Sequence, residues 1–330
     1  MMMPANFTAV NSEVVYGGAD LFSILADTTA PIWNAANVKT FNTNLLTILS
    51  NSFTKLLVGA TLGTMFSGSW GDVGVKLFGD MPIYASEDSA DCWAHPELFQ
   101  LDEKGRPTHV AGVPPDYFSA DGQRWGNPLY DWKALKKTRY GWWVERMRQN
   151  AERFDIVRID HFIGFANYYS IPVTSPTARV GEWIKGPGRP LFAEIEKRTP
   201  GLSIVAEDLG VVSPRVRRLI RRCGYPGMHV LEFAFGGGDG NPNNPAEYEE
   251  NSVVYTGTHD NDTLCGFLEH ADENTLADVR RHYPGAADLP GALIGSLMES
   301  RAYMAIVPMQ DWLRLGGDAR MNTPGTVGDF

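Results

Sequence analysis

The chain has 330 residues, 43% of them apolar and 21% charged, with a formal charge of −10. That is the composition of a folded globular protein, and it excludes a disordered chain, a coiled coil and a general nucleic-acid-binding surface. The 34 glycines and 21 prolines follow no fixed period, which implies many turns and long structured loops. Cys92, Cys223 and Cys265 lie far apart without CxxC spacing and read as free thiols of a reducing compartment. Residues 1–40 hold one basic residue, Lys39, against Glu13, Asp20 and Asp27; neither a secretory signal nor an Arg-rich transit peptide is read there, and the expected location is cytoplasmic. Leu45 to Phe66 is apolar but interrupted by Asn51, Ser52, Thr54 and Lys55, so no membrane span is read. Residues 1–72 are rich in Asn, Thr and Ser and form an unassigned segment.

From Val75 the texture changes. Val75 to Ile83 (VKLFGDMPI) reads as a buried strand with Asp80 near its carboxyl edge. Phe154 to Phe162 (FDIVRIDHF), Leu202 to Leu209 (LSIVAEDL), Met228 to Phe235 (MHVLEFAF), Ser252 to Asp260 (SVVYTGTHD) and Ala305 to Asp311 (AIVPMQD) read in the same way. Between them, Trp132 to Ala151 reads as one helix with Trp143, Met147 and Ala151 on one face. Ser213-Pro214 opens a second helix, whose face of Val216, Leu219, Ile220 and Cys223 is closed by Gly224. Asp272 to Tyr283 reads as a third. Strands alternating with helices, each strand ending in charge, define a parallel α/β fold of the (β/α)8 barrel type. No GxGxxG or GxxxxGK[ST] loop supports a doubly wound alternative. Asp80 and Asp160 are 80 residues apart, against about 31 for a simple barrel unit, which places an inserted loop subdomain at about 84–131 within a core spanning 73–330.

Three strand tips carry candidate chemistry: Asp160, Glu207 and Asp260, spaced by 47 and 53 residues. Paired carboxylates flanking a glycosidic bond are the equipment of sugar transfer, although an isolated strand-end Asp is more often a turn or cap. The apolar run Ile204-Val205-Ala206 leads into Glu207, an environment that favours the protonated acid. Arg158 shares a strand face with Asp160 and would hold it ionised, either for catalysis or as a structural ion pair. His161, His259, Asp260 and Asp262 are conceivable metal ligands, but no HExxH, Cys/His pairing or EF-hand loop is present, and no cofactor or metal is expected. A GxSxG elbow is absent as well. Nine Trp, twelve Tyr and sixteen Phe fill a core for the most part, yet several lie in polar loops where their faces suit sugars.

At these residues the sequence resembles a known family. VRIDHFIGF, IVAEDLGVVSPRV, VVYTGTHDNDT and the stretch from GDMPIYASED to GNPLYDW closely resemble the 4-α-glucanotransferases (amylomaltases, disproportionating enzymes) of glycoside hydrolase family 77, from about Val75 to about Gly328. The resemblance implies a retaining transfer of α-1,4-glucan segments among maltooligosaccharides, with Asp160 as nucleophile, Glu207 as acid/base and Asp260 as the carboxylate that binds and distorts the sugar ring. It implies substrate-binding roles for Arg158, His259, Asp80, Tyr117, Gln123, Trp125, Phe233 and Asn322. Glu232 stands where the family usually has glutamine. Residues 1–72 do not resemble the family, so an incomplete barrel is expected, lacking recognisable first two strands and last helix. An α-glucan hydrolase of the same clan and an inactive or glucan-binding remnant are the alternatives.

Overall fold

The computed structural model describes residues 76–326 apart from 116–118, 211, 239 and 325, together with a two-residue antiparallel ladder of β1 (Val15–Tyr16) and β2 (Ala19–Asp20). The segment 1–72 otherwise lies outside the described residues, as does Tyr117.

Six parallel strands form the frame. β3 (Phe78–Met81), β6 (Ile156–Ile159) and β9 (Ser203–Ala206) make one sheet in that order; β10 (Gly227–Val230), β11 (Ser252–Tyr255) and β12 (Met304–Ile306) make another. The two adjoin where Ala206 N–H donates to the Pro226 carbonyl at 2.9 Å. Spatial order therefore follows chain order, as in a singly wound barrel arc. Side-chain alternation shows that the arc curves around an interior. Phe78, Ile156, Val205, Met228, Val253, Tyr255, Met304 and Ile306, drawn from all six strands, pack into one apolar cluster. The residues between them, Val157, Ile159, Ile204 and Ala206, pack outward against helices. Each strand stops two to five residues before the stretch read from sequence. Asp80 lies within β3, and the other polar tips lie in the turns that follow, so their side chains are placed by loops anchored to a rigid arc.

The helical covers obey local rules. α5 (Pro214–Cys223) has Ser213 as N-cap, accepting from Val216 N–H, and ends at Gly224, whose φ of 73° puts it in the left-handed region. α7 (Glu273–His282) is capped by Asp272. The single helix expected over Trp132 to Ala151 is instead two, α2 (Trp132–Lys137) and α3 (Gly141–Ala151), broken at Arg139 and Tyr140, with φ of 51° and 55°. Packing overrides helical periodicity here: the break buries Tyr140 and stacks the Trp132 and Trp143 rings 6.2 Å apart. Trp143 and Met147 face the core as expected, but Ala151, in the last turn, is exposed.

A second sheet sits over the arc. β4 (His109–Val113), β5 (Gln123–Pro128), β7 (Asn167–Pro172) and β8 (Glu182–Lys185) form an antiparallel sheet in the order β5-β4-β7-β8. It combines the segment after β3 with the segment after β6, so residues 84–131 do not make it alone. Most aromatics between Tyr84 and Trp132 fill the core: Tyr84, Phe99 and Tyr130 are buried, and Trp132 packs against the same cluster. Among the described aromatics of this stretch, only Trp93 and Trp125 are substantially exposed, at 86% and 38%.

Candidate active site

The chemistry gathers at the carboxyl ends of the parallel strands. In β6 the inward alternation runs Ile156, Arg158, Asp160, so the apolar interior is capped by an ionic layer. Arg158, buried, spans two carboxylates: Nη1 lies 2.6 Å from Asp80 Oδ1 and Nη2 lies 2.8 Å from Asp160 Oδ1. Its Nε rests 3.3 Å from Met228 Sδ. Asp80 is opposite Arg158 in the β3–β6 register, which is why the fork reaches it. Strand pairing continues one step past β6, with Asp160 N–H donating to Met81 C=O at 2.9 Å.

Asp160 and Glu207 occupy opposite electrostatic settings. The Asp160 side chain is 44% exposed toward the cleft and is held by the Arg158 ion pair. Desolvation nevertheless pushes its carboxyl above the usual value, with Arg158 opposing and Asp80 and Asp260 reinforcing. The expected contact is present, then, but Arg158 divides its charge between two partners and does not depress Asp160 on balance. Glu207 is 8% exposed. Its carboxyl accepts from His161 N–H and Leu209 N–H, both at 2.7 Å. Those two donors and Arg158 favour ionisation, but burial and the Asp160 charge win, and the carboxyl is pushed up to about 7.

His161 pins this corner. Its backbone is left-handed (φ 50°), uncommon for a residue with a side chain. Burial drives the imidazole down to about 4, so it is neutral, and its Nε2 has no hydrogen-bond partner. The Trp125 ring stands edge-on to it at 4.8 Å. Trp125 comes from β5, where its indole N–H donates to Gln123 Oε1 at 3.1 Å. The antiparallel sheet thus delivers an aromatic face to the cleft.

On the far side, the loop after β11 carries His259 and Asp260. His259 Nε2 is 3.5 Å from Asp260 Oδ2, Asn322 Nδ2 donates to Asp260 Oδ1 at 2.9 Å, and Arg320 donates to the Asp260 carbonyl at 3.0 Å. Phe233 follows β10 in a 3-10 turn and is exposed, its carbonyl accepting from Asn241. Of the sequence candidates, Asp80, Arg158, Asp160 and Glu207 form one interacting group, and Asp260 reaches it electrostatically. Gln123 and Trp125 join through His161, and Asn322 through Asp260. Three residues of this region are not marked by the sequence reading: Tyr84, packed against Trp125; Arg320; and Asn261, which accepts from Thr258 N–H and O–H at 2.9 and 2.8 Å. The only sequence signal for them is adjacency to DMPIY, ARMN and THDND. Among the described residues, no group of three or more His, Cys, Asp or Glu side chains is arranged to hold a metal ion, and no helix is long and apolar enough to cross a membrane.

A parallel α/β arc with an Arg-paired carboxylate beside a second carboxyl protonated near neutral pH has the equipment of the retaining enzymes that act on glycosidic bonds. The chain belongs to glycoside hydrolase family 77, the 4-alpha-glucanotransferases, whose family profile matches residues 66–330. It is 47% identical over 277 residues to the 4-alpha-glucanotransferase of Thermus thermophilus, covering 79% of this chain and 55% of that one. It is 50% identical over 259 residues to the 4-alpha-glucanotransferase of Synechocystis sp., covering 77% and 51%. Among solved structures it resembles the amylomaltase from Streptococcus agalactiae in complex with acarbose, with a TM-score of 0.75, 35% identity and coverage of 98% of this chain and 66% of that one. The chain spans about half the length of the curated relatives it matches.

Proposed function

We propose that this chain carries the catalytic core of a 4-α-glucanotransferase, which moves a segment of an α-1,4-glucan onto glucose or another glucan. The observation that carries the reading is the asymmetric pair: Asp160 exposed to the cleft and ion-paired, Glu207 buried and pushed up to about 7. Asp160 attacks the anomeric carbon while protonated Glu207 gives its proton to the departing glycosidic oxygen. The bond to the leaving sugar breaks as the bond to Asp160 Oδ forms. Esterification removes the Asp160 charge, one of the two causes that raise Glu207, so the glutamate becomes a better base. It then takes the proton of an acceptor hydroxyl, which attacks the same carbon and frees Asp160. Asp260, fixed by Asn322 and flanked by His259, is positioned to bind ring hydroxyls as the sugar flattens. Asp80 and Arg158 orient the nucleophile.

Transfer in place of hydrolysis requires a sugar hydroxyl to reach the ester before water does. Positioned groups attain effective concentrations of about 10⁵ M or more, well above that of water. Trp125, Gln123, Phe233 and Tyr117 are the residues assigned to hold the acceptor. The barrel reading extends in the same way: six consecutive parallel strands support an arc of an eight-stranded barrel, with the long insertion after the first of the six. Maltodextrins, starch and glycogen segments are the expected substrates, and the reaction needs no cofactor. Incubation with maltotriose tests the proposal. Glucose together with a ladder of longer maltodextrins is expected; shortened sugars without longer ones would reassign the chain as an α-glucan hydrolase.

A further inference from the structure

Glu232 lies in the 3-10 turn after β10, outside the group assigned to the reaction. Its carboxyl is buried, and Oε1 has no hydrogen-bond partner. The loop carrying His259 and Asp260 is seated directly on it: a Cβ on Gly257 would stand 2.9 Å from Glu232 Oε1 and 3.1 Å from Asn261 Cβ. The Asn261 amide faces the carboxyl, and the Asn261 carbonyl oxygen holds Thr258 through two hydrogen bonds. Thr258 Oγ1 in turn accepts from Asp260 N–H at 3.3 Å.

The other groups facing Glu232 are Asp311, from α9 (Met309–Trp312), Asp262 from the same loop, and Arg320. Asp311 is itself buried, but each of its oxygens has a donor: Leu264 N–H at 2.7 Å and Thr256 O–H at 2.5 Å. Two carboxylates cannot both ionise cheaply in such a space. The one whose two oxygens both have donors keeps the charge, and the one with an unpartnered oxygen keeps the proton.

We infer that Glu232 is a positioning residue held as a neutral carboxylic acid, on which the loop presenting Asp260 is seated through Gly257 and Asn261. The inference rests on the reading of Asp260 given above and deepens it. Burial and the neighbouring Asp311 push the Glu232 carboxyl from 4.5 up to about 9, so opening the seat releases a proton and the seat should weaken as pH rises from about 4.5 to about 9, above which a third negative charge stands beside Asp311 and Asp262.

The test compares the wild-type chain with Glu232→Gln, which keeps shape and neutrality, and Glu232→Ala, which keeps neither contact. Hydrogen exchange of the peptide 256–263, corrected for intrinsic alkaline rates, reports the seat without needing activity. The wild type should lose protection about tenfold per pH unit between about 4.5 and about 9 and level off above that. Glu232→Gln should stay protected at every pH, and Glu232→Ala should be open already at pH 7. Disproportionation rates add a second readout. Loss of the Glu207 proton gives log kcat/KM a slope of about −1 above about pH 7, which should steepen above about 9 in the wild type and not in Glu232→Gln. Identical exchange profiles for wild type and Glu232→Gln, or a Glu232→Gln chain that behaves like Glu232→Ala, would overturn the inference. A wild-type chain without transfer but with the expected exchange pattern would overturn the proposed function and leave Glu232 as the loop's seat.

Discussion

At the level of single residues, Glu207 and Asp160 carry the proposed chemistry. A carboxyl raised from 4.5 to about 7 by burial binds its proton more tightly in the folded chain than in the unfolded one. Stability therefore falls as pH rises from about 4.5 to about 7 and is constant above that, a loss of about 3 kcal/mol for a shift of this size. Glu207→Gln should remove this loss. Its melting temperature at pH 8 should exceed that of the wild type, while transfer falls by about 10³-fold or more; calorimetry paired with maltotriose kinetics checks both. Asp160→Asn should lose transfer by at least as much and still give a wild-type circular dichroism spectrum, because its side chain is exposed to the cleft. Arg158 behaves differently: it is buried between Asp80 and Asp160, and Arg158→Ala should cost about 3–5 kcal/mol, measured by denaturant unfolding. The carboxylates were legible in sequence because each ends an apolar run. The sharing of Arg158 between two acids was not, because the β3–β6 register that brings Asp80 opposite Arg158 joins positions 78 residues apart.

At the scale of elements, the helices whose ends are marked by caps are the ones that sequence places well. Ser213, Pro214 and Gly224 bound α5 through local hydrogen bonds and a left-handed residue. Ser213→Ala should cost about 1 kcal/mol in unfolding free energy without changing the active-site pH profile. The break between α2 and α3 has no such marker. It follows from burying Tyr140 and from stacking of Trp132 on Trp143, contacts of tertiary origin. Met147→Ala in α3, with its side chain fully buried, should cost about 2–5 kcal/mol. The antiparallel sheet was hidden for a related reason: β5, with its polar and half-exposed sequence Gln123–Pro128, lacks the clean alternation of a strand, and its neighbour β4 pairs on its other side with β7, from beyond β6.

At the scale of the whole molecule, an arc of two adjoining parallel sheets separates structure from chemistry. Its apolar interior, drawn from six strands, supports the ionic layer above it, and the antiparallel sheet brings Trp125 against His161 beside Glu207. Trp125→Ala should shift the ratio of transfer to hydrolysis toward water while leaving cleavage of the donor bond less affected, read as reducing ends per maltodextrin formed. The alternation of strands and helices indicated a barrel-type fold, and the charged strand tips indicated where its working face lies. How the aromatics divide between core and cleft depends on packing that only the assembled sheets reveal.

The central claim is that Asp160 forms the glycosyl bond. It is tested most directly by mass spectrometry of the Glu207→Gln chain after exposure to α-maltotriosyl fluoride, a donor whose leaving group needs no acid and whose ester, without a base, is slow to break down. The account predicts that the peptide containing Asp160 gains the mass of one maltotriosyl group and that the Asp160→Asn, Glu207→Gln double variant gains none. A label on any other peptide, or an equal label in the double variant, would contradict it.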